Sequence, residues 1–365
     1  MSTLQELVRY CTEENTHGAL LLTGEIGCGK THLVEKELAE ALKDTHFLVR
    51  VSLLGIDSLS ALQDALRRQW LLVCTPFLAK TSKRKDRAKK AGILSAIATA
   101  LASVNPVAEN VASVVTSINP LEYIPLEAEV EDFHEAGRKK RVVMVFDDLE
   151  RNKVDLFEVM GYINDCCENK GFKTIIIANE QAILATSVED TETSLLAYKI
   201  IKEKTVSRTL LYLSDYARIV HEIVTESKWP TQEYADFLLE NEALIQEVFT
   251  SDLLKETGRL GKHHNIRSLN CALQEFGRVH ELLSEKLIAS IPPYFYSFIA
   301  YILATRSGIF RDGHTTFSFT TEELRELYPA YRDEHLPEWV RQWIEYGVWE
   351  EDSIAAFLQG SAEKE

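Results

Sequence analysis

The sequence predicts an α/β protein, a parallel sheet flanked by helices and followed by an all-helical region. Three observations carry that prediction. Apolar runs at residues 19–23 (ALLLT), 142–146 (VVMVF) and 173–178 (KTIIIA) are continuous rather than alternating, as in strands covered on both faces. The first run passes through a glycine-rich turn directly into a helical pattern, THLVEKELAEALK. Beyond Val206 the pattern is largely helical to the end of the chain.

At 365 residues the chain has room for about two to three domains of roughly 150 residues each. Its 40 basic and 56 acidic side chains give a net charge of −16, which opposes wrapping nucleic acid with the whole surface but leaves a local basic patch open. With 45% hydrophobic residues, nine prolines and sixteen glycines, the composition is globular rather than disordered or fibrous. The six cysteines form no CxxC pair, so the spacing of a tetrahedral zinc site is missing and they read as packing residues. The opening MSTLQELVRYCTEENTHG lacks the basic-then-apolar order of a secretory signal, which makes the reducing cytoplasm the expected compartment.

Taken in order, residues 2–14 read as an amphipathic helix, 19–23 as a strand and 47–54 as a second strand closed by Gly55. A helix over 59–70 follows, capped by Asp57 or Ser58. Residues 83–90 (KRKDRAKK) carry six basic side chains against Asp86; a solvated charged face is the plain reading, with nucleic acid or anionic lipid as functional ones. Residues 91–121 are rich in small and apolar side chains. Their charge-free part, 92–108, only reaches the lower limit of about 17 residues for a membrane span and contains Ser95, Thr99, Ser103, Asn105 and Pro106. It reads as a buried or self-associating helical hairpin, with membrane contact peripheral at most. Regular alternation returns with the strand at 142–146, the acidic turn DDLER, a helix over 153–170 and the strand at 173–178 ending at Asn179. The resulting division is a sheet domain over 1–210 with an insertion at 80–130, a helical domain over 211–285 and a C-terminal helical domain over 286–365. In the last, IPPYFYSFIAYILATRSGIF has core spacing, and Trp339, Trp343 and Trp349 form a stripe suited to packing or to a partner groove.

The chemistry sits in Gly24-Glu25-Ile26-Gly27-Cys28-Gly29-Lys30-Thr31, which matches GxxxxGK[ST] between a strand and a helix. Glycines let the backbone curl so that successive N–H groups face a phosphate, and the helix start adds its positive dipole end. Lys30 would place its charge between the β- and γ-phosphates, and Thr31 would offer its hydroxyl to Mg²⁺. Gly24, Ile26, Gly27, Cys28, Gly29, Lys30, Thr31 and His32 are therefore the expected nucleotide-binding residues. A P-loop of this kind needs an acidic partner on another strand. Asp147 is expected to hold the metal through water, Asp148 to act as general base on the attacking water, and Glu150 is its rival for that role. No guanine-specifying loop is evident, so the expected cofactors are ATP and Mg²⁺.

Together, GEIGCGKT and VVMVFDDLER resemble the KAP family of P-loop NTPases, within the additional-strand, STAND-like branch of ATPases. VSLLGI (51–56), GYIND (161–165), IIIANE (175–180) and EKTVSRTL (203–210) fit the same group, and HHNIRSLNCALQEF (263–276) is similar to its lid-helix signature. The resemblance spans about residues 20–280 in motif-sized islands, of which only the phosphate motifs are highly specific. It implies an ATPase switch: Asn179 as the sensor at its strand end, Arg267 reaching the γ-phosphate from the lid, Arg208 as a finger in cis or toward a neighbouring subunit, and Arg151 as an orienting arginine. The plain alternatives are an Asx turn at Asn179, a surface arginine at 267 and an ion pair at 208. Further implications are a homo-oligomer, a separate effector protein and a setting in bacterial defence against phage. Two departures stand out: Ile26 replaces a frequent aromatic, and the 83–121 segment is too polar for the membrane helices that the family commonly inserts there. A non-hydrolysing ATP-binding scaffold and a nucleic-acid-stimulated ATPase using residues 83–90 are the competing functions.

Overall fold

The structure is a computed structural model that describes residues 2–14, 17–80, 126–131, 138–184, 192–250, 265–285, 291–306, 320–349 and 352. The basic run at 83–90 and the small-residue stretch at 91–121 lie outside the described residues. The chain divides into two compact units: Met1–Gly24 with Gly29–Tyr212, and Glu25–Cys28 with Leu213–Glu365.

In the first unit, α1 (Thr3–Thr12) begins at a capping box, with the Ser2 hydroxyl accepting from the Gln5 N–H and the Gln5 side chain accepting from the Ser2 N–H. Tyr10 then ties α1 to the sheet, its hydroxyl lying 2.9 Å from the carbonyls of both Gly18 and Thr174 and accepting from the Thr174 N–H at 3.1 Å. Strand β1 (Ala19–Thr23) leads into helix α2, which is α-helical at Lys30–His32, π-helical at Leu33–Leu38 and α-helical again at Ala39–Leu42. After β2 (His46–Ser52) comes α3 (Leu59–Lys80), whose start is capped by the Ser58 hydroxyl accepting from the Ala61 N–H. This helix runs past the expected end at Trp70 because the apolar stripe continues through buried Leu71 and through Val73, which packs on the same core.

Next come β3 (Glu129–Glu131), β4 (Lys139–Asp147), a 3₁₀ turn (Leu149–Arg151), α4 (Leu156–Glu168), β5 (Lys173–Ala178), α5 (Glu192–Thr205) and β6 (Val206–Leu211). The strand order is β2-β4-β5-β1-β6, every adjacent pair parallel, with β3 antiparallel on the start of β4. The predicted parallel sheet is thus present, and β5 separates the glycine-loop strand β1 from the acidic strand β4. Its central strands bury nearly every side chain, which is why their sequences show no alternation. Two strands correct the sequence expectation. β6 stands where the pattern beyond Val206 reads as helical: it follows α5 without a break and buries only alternate side chains, incompletely. The three-residue β3 is too short to leave a periodic signal.

The second unit contains α6 (Tyr216–Glu226), α7 (Gln232–Glu240), α8 (Glu242–Thr250), α9 (Ile266–Glu285), α10 (Pro292–Arg306), α11 (Thr321–Leu327) and α12 (Glu338–Tyr346). Asp215 and Thr231 cap α6 and α7 by accepting from the Arg218 and Tyr234 N–H groups. One apolar core joins residues from Val220 to Val340, and α10 is buried on all sides from Phe295 to Thr305. Trp339 is buried in that core, while Trp343 and Trp349 pack edge to face at 4.8 Å against it. Among the described residues, no helix is long and apolar enough to cross a membrane.

Candidate functional site

Residues 24–29 turn the chain from β1 into α2. Gly27 and Gly29 adopt φ of 78° and 100°, a left-handed backbone that favours glycine. At Gly27 a side chain is also excluded by space, since an added Cβ would lie 2.6 Å from Asn265 Cγ. Because α2 starts at Lys30, its first backbone N–H groups have no partner within the helix and face back toward the loop. Lys30 is 7% exposed, and its Nζ donates to the Gly24 carbonyl at 2.8 Å, which folds the ammonium over the loop.

Thr31 and Asp147 meet beside it. The Thr31 hydroxyl donates to Asp147 Oδ2 at 2.9 Å, and Asp147, the last residue of β4, is 2% exposed. A hydroxyl in contact with a buried carboxylate beside a glycine-rich loop offers two of the oxygen donors that a nucleotide-bound Mg²⁺ would take, phosphate and water supplying the others. The residues present therefore fit both a polyphosphate and its metal. Asp147 Oδ2 also accepts from Arg50 Nε and Nη2, each at 2.8 Å, while Oδ1 accepts from the Asp148 N–H at 2.9 Å. Arg50 extends from β2, and its Nη1 donates to Glu35 Oε1 at 2.9 Å. Burial alone would lower the Arg50 pKa, but the hydrogen bond and charge of Asp147, with the charge of Glu35, carry it above the ordinary arginine value.

The two candidate bases diverge. Asp148 takes φ 60°, ψ 40°, the one positive φ outside glycine among the described residues, and its Oδ2 accepts from the Ser52 hydroxyl at 2.7 Å. Glu150 Oε2 accepts from the Asn179 N–H at 3.1 Å. Ser52 ends β2, on the side of β4 away from β1, whereas Asn179 follows β5, which adjoins β1. Glu150 is therefore the carboxylate on the loop side. Asn179 Oδ1 accepts from the Ala182 N–H at 3.3 Å and caps a helical turn over 180–184, while the Glu180 N–H donates to Thr23 Oγ1 at 3.2 Å. Arg151 lies in the 3₁₀ turn with its backbone N–H on the Asp148 carbonyl.

Of the other expected residues in the sheet unit, Arg208 is not gathered at this edge. Arg208 is level with Leu20 in the β1–β6 register and pairs with Glu6 at 3.2 Å and Glu13 at 3.8 Å, near α1. Arg267, exposed in the first turn of α9, donates its backbone N–H to Asn265 Oδ1 at 3.0 Å. Ile26 and His32 are exposed, and Cys28 is buried. Residues 25–28 are held within the helical unit: the Ile266 N–H donates to the Gly27 carbonyl at 3.1 Å, and the Ser214 hydroxyl donates to the Cys28 carbonyl. Sequence reasoning missed Arg50, Glu35, Ser52, Ser214 and Asn265; a lone arginine inside the apolar strand HFLVRVS was the one available signal. Among the described residues, no group of His, Cys, Asp and Glu could hold a metal ion by itself. Burial raises the Cys11 and Cys166 thiols to about 12, as suits packing residues.

With the glycine loop and the acidic strand on either side of an intervening strand, and Thr31 touching Asp147 across it, the class is that of a P-loop NTPase with an added central strand. The KAP family P-loop domain matches residues 2–236, and the chain belongs to that family. Its function is accordingly of the nucleotide-binding, NTPase type. No curated protein matches the chain. Among solved structures it is similar to the Aeropyrum pernix ORC1 protein in complex with DNA, at 12% identity and a TM-score of 0.33 over 98% of this chain and 82% of that one. It is also similar to Drosophila ORC bound to poly(dA/dT) DNA and Cdc6, at 11% identity and a TM-score of 0.29 over 99% of this chain and 60% of that one. Both likenesses are distant, and the fold stands on the strand order and the family match.

Proposed function

We propose that this chain binds ATP with Mg²⁺ and uses hydrolysis as a conformational and assembly switch. The single observation that carries this reading is the 2.9 Å contact between Thr31 Oγ1 and Asp147 Oδ2 beside the Lys30 loop. Bound there, Mg²⁺ would supply charge neutralisation to the phosphates. Loop N–H groups and Lys30 hold the phosphates, Thr31 and Asp147 hold the metal, and Glu150 orients the attacking water, with Asn179 beside it. Glu150 takes that role in preference to Asp148 because its carboxylate leans toward β5 rather than β2. Arg267 is the proposed reporter of nucleotide state in the helical unit, and Arg208 keeps its ion pair. We further propose a cytoplasmic homo-oligomer that passes its state to a separate effector, in bacterial defence against phage, a setting suggested by the family alone.

Calorimetric titration with ATP and Mg²⁺ tests the core of this reading. The unaltered chain is expected to bind, Lys30→Ala to lose binding, and Glu150→Gln to keep binding while losing about 10²–10⁴-fold in turnover. A larger loss in Asp148→Asn would move the base to Asp148. Binding without turnover would favour the scaffold, and indifference to every nucleoside triphosphate would end the proposal. Particle mass with and without ATP–Mg²⁺ tests the assembly step.

A further inference from the structure

The acidic residue proposed to hold the metal is already engaged. Asp147 Oδ2 accepts from Thr31 Oγ1 at 2.9 Å and from two nitrogens of Arg50 at 2.8 Å. A guanidinium forked onto one oxygen of a carboxylate that is only 3% exposed is a strong, charge-assisted arrangement. It also places a positive charge where a second one, the metal, is expected, and like charges at this distance oppose each other. Two features give the guanidinium another place. Glu35, half exposed, already accepts from Arg50 Nη1 at 2.9 Å, so leaving Asp147 would not strand the arginine. Among the described residues, Arg50 and Glu35 also line a cavity of about 680 Å³ with Ser52, Arg68 and Gln69, which leaves room for the side chain to move.

We propose that Arg50 competes with Mg²⁺ for Asp147, so that metal–nucleotide binding releases the guanidinium from Asp147 and leaves it on Glu35, the partner it already shares. Thr31 and Glu35 both belong to α2, and that one helix therefore presents a ligand for the metal and the receiver for the displaced charge. The inference rests on the ATP–Mg²⁺ reading and makes Arg50 a positioning residue for the metal site.

The test reads binding rather than turnover. A fluorescent ATP analogue is titrated with Mg²⁺ on the full chain, unaltered and carrying Arg50→Gln or Glu35→Gln. Competition predicts that Arg50→Gln lowers the Mg²⁺ midpoint by about tenfold, within the usual range of coupling between sites, and that Glu35→Gln raises it by roughly fivefold. Analogue binding in EDTA should change by less than about twofold in either variant, a change below 0.5 kcal/mol. Unmoved midpoints in both variants, or a raised midpoint in Arg50→Gln, overturn the competition. Should Arg50→Gln fail to fold, the Glu35→Gln midpoint decides alone, because a shift upward requires the same exchange. Loss of analogue binding by the unaltered chain would instead overturn the ATP reading, while retained binding with fixed midpoints sinks only the exchange.

Discussion

Among the described residues, the sheet unit buries a lysine and an aspartate, Lys30 and Asp147, whereas the buried polar side chains of the helical unit are Ser268, His280, Ser297 and Thr305. The apolar cores differ in kind as well. The first draws chiefly on aliphatic side chains of strands and helices, whereas the second also holds a cluster of rings at Tyr234, Phe237, Phe276, Phe295 and Phe298. Burying a charge costs several kcal/mol unless it is paired, so a fold retains such groups only where they are satisfied or used. In the sheet unit Asp147 is satisfied by donors on both carboxylate oxygens, at the edge proposed above to hold the metal. Among the described residues from Leu213 onward, the buried side chains of the helical unit pack into one largely aromatic and aliphatic core.

The contrast can be broken most directly by truncating one residue in each core. Phe276→Ala empties a fully buried ring position in contact with Phe237, Phe295 and Phe298, and should cost about 3–5 kcal/mol in chemical denaturation. Asp147→Ala should cost less, about 1–3 kcal/mol, because Arg50 is 30% exposed and keeps Glu35, yet it should abolish the Mg²⁺ dependence of nucleotide binding. Equal stability losses with Mg²⁺ dependence intact would erase the distinction drawn between the two cores.

A smaller effect concerns acid. Burial lowers the pKa of His280, packed 5.1 Å from Tyr234 and 4.6 Å from Phe237 between ring centroids, with Glu233 opposing the shift. Burial also lowers His46 in the sheet unit, where its ring nitrogens face Thr45 Oγ1 and the Cys11 carbonyl. Each takes up its proton more readily when unfolded. Stability should therefore fall as pH drops below the ordinary histidine value of 6.5, and stop falling once pH passes the lowered folded value. Urea melts at pH 7.5 and 5.5 check this, and His280→Phe should flatten the part of the slope that belongs to the helical unit. The smallest change is Ser52→Ala, which removes the hydroxyl donating to Asp148 Oδ2 and should cost about 0.5–1.5 kcal/mol by thermal or chemical melting.

Much of the sheet unit was legible because its central strands are buried on both faces and its loop requires a left-handed backbone at Gly27 and Gly29. β6 was not, because VSRTLL has neither a continuous apolar run nor a breaker between it and α5. Arg50 was readable only as an oddity. What makes it consequential is the β2–β4 register, which sets it level with Val145 and brings its fork to Asp147, and no single-chain pattern encodes that pairing. Asn265 escaped for a similar reason: its fit against Gly27 depends on residues more than two hundred positions apart, whereas its role as cap of α9 is local and ordinary.

The widened turn at Leu33–Leu38 has a consequence for how this sequence tolerates change. Each π-type hydrogen bond reaches five residues back instead of four, so the segment holds more chain per turn than its neighbours. Deleting one residue after Glu35 would let the coil tighten to ordinary geometry while Lys30 and Thr31 kept their places upstream. The same deletion between Thr31 and Glu35 would rotate the glutamate by about 100° away from the guanidinium it now faces. Two gaps of identical size, a few positions apart, should thus separate an innocuous length variant from one that disconnects Glu35 from Arg50.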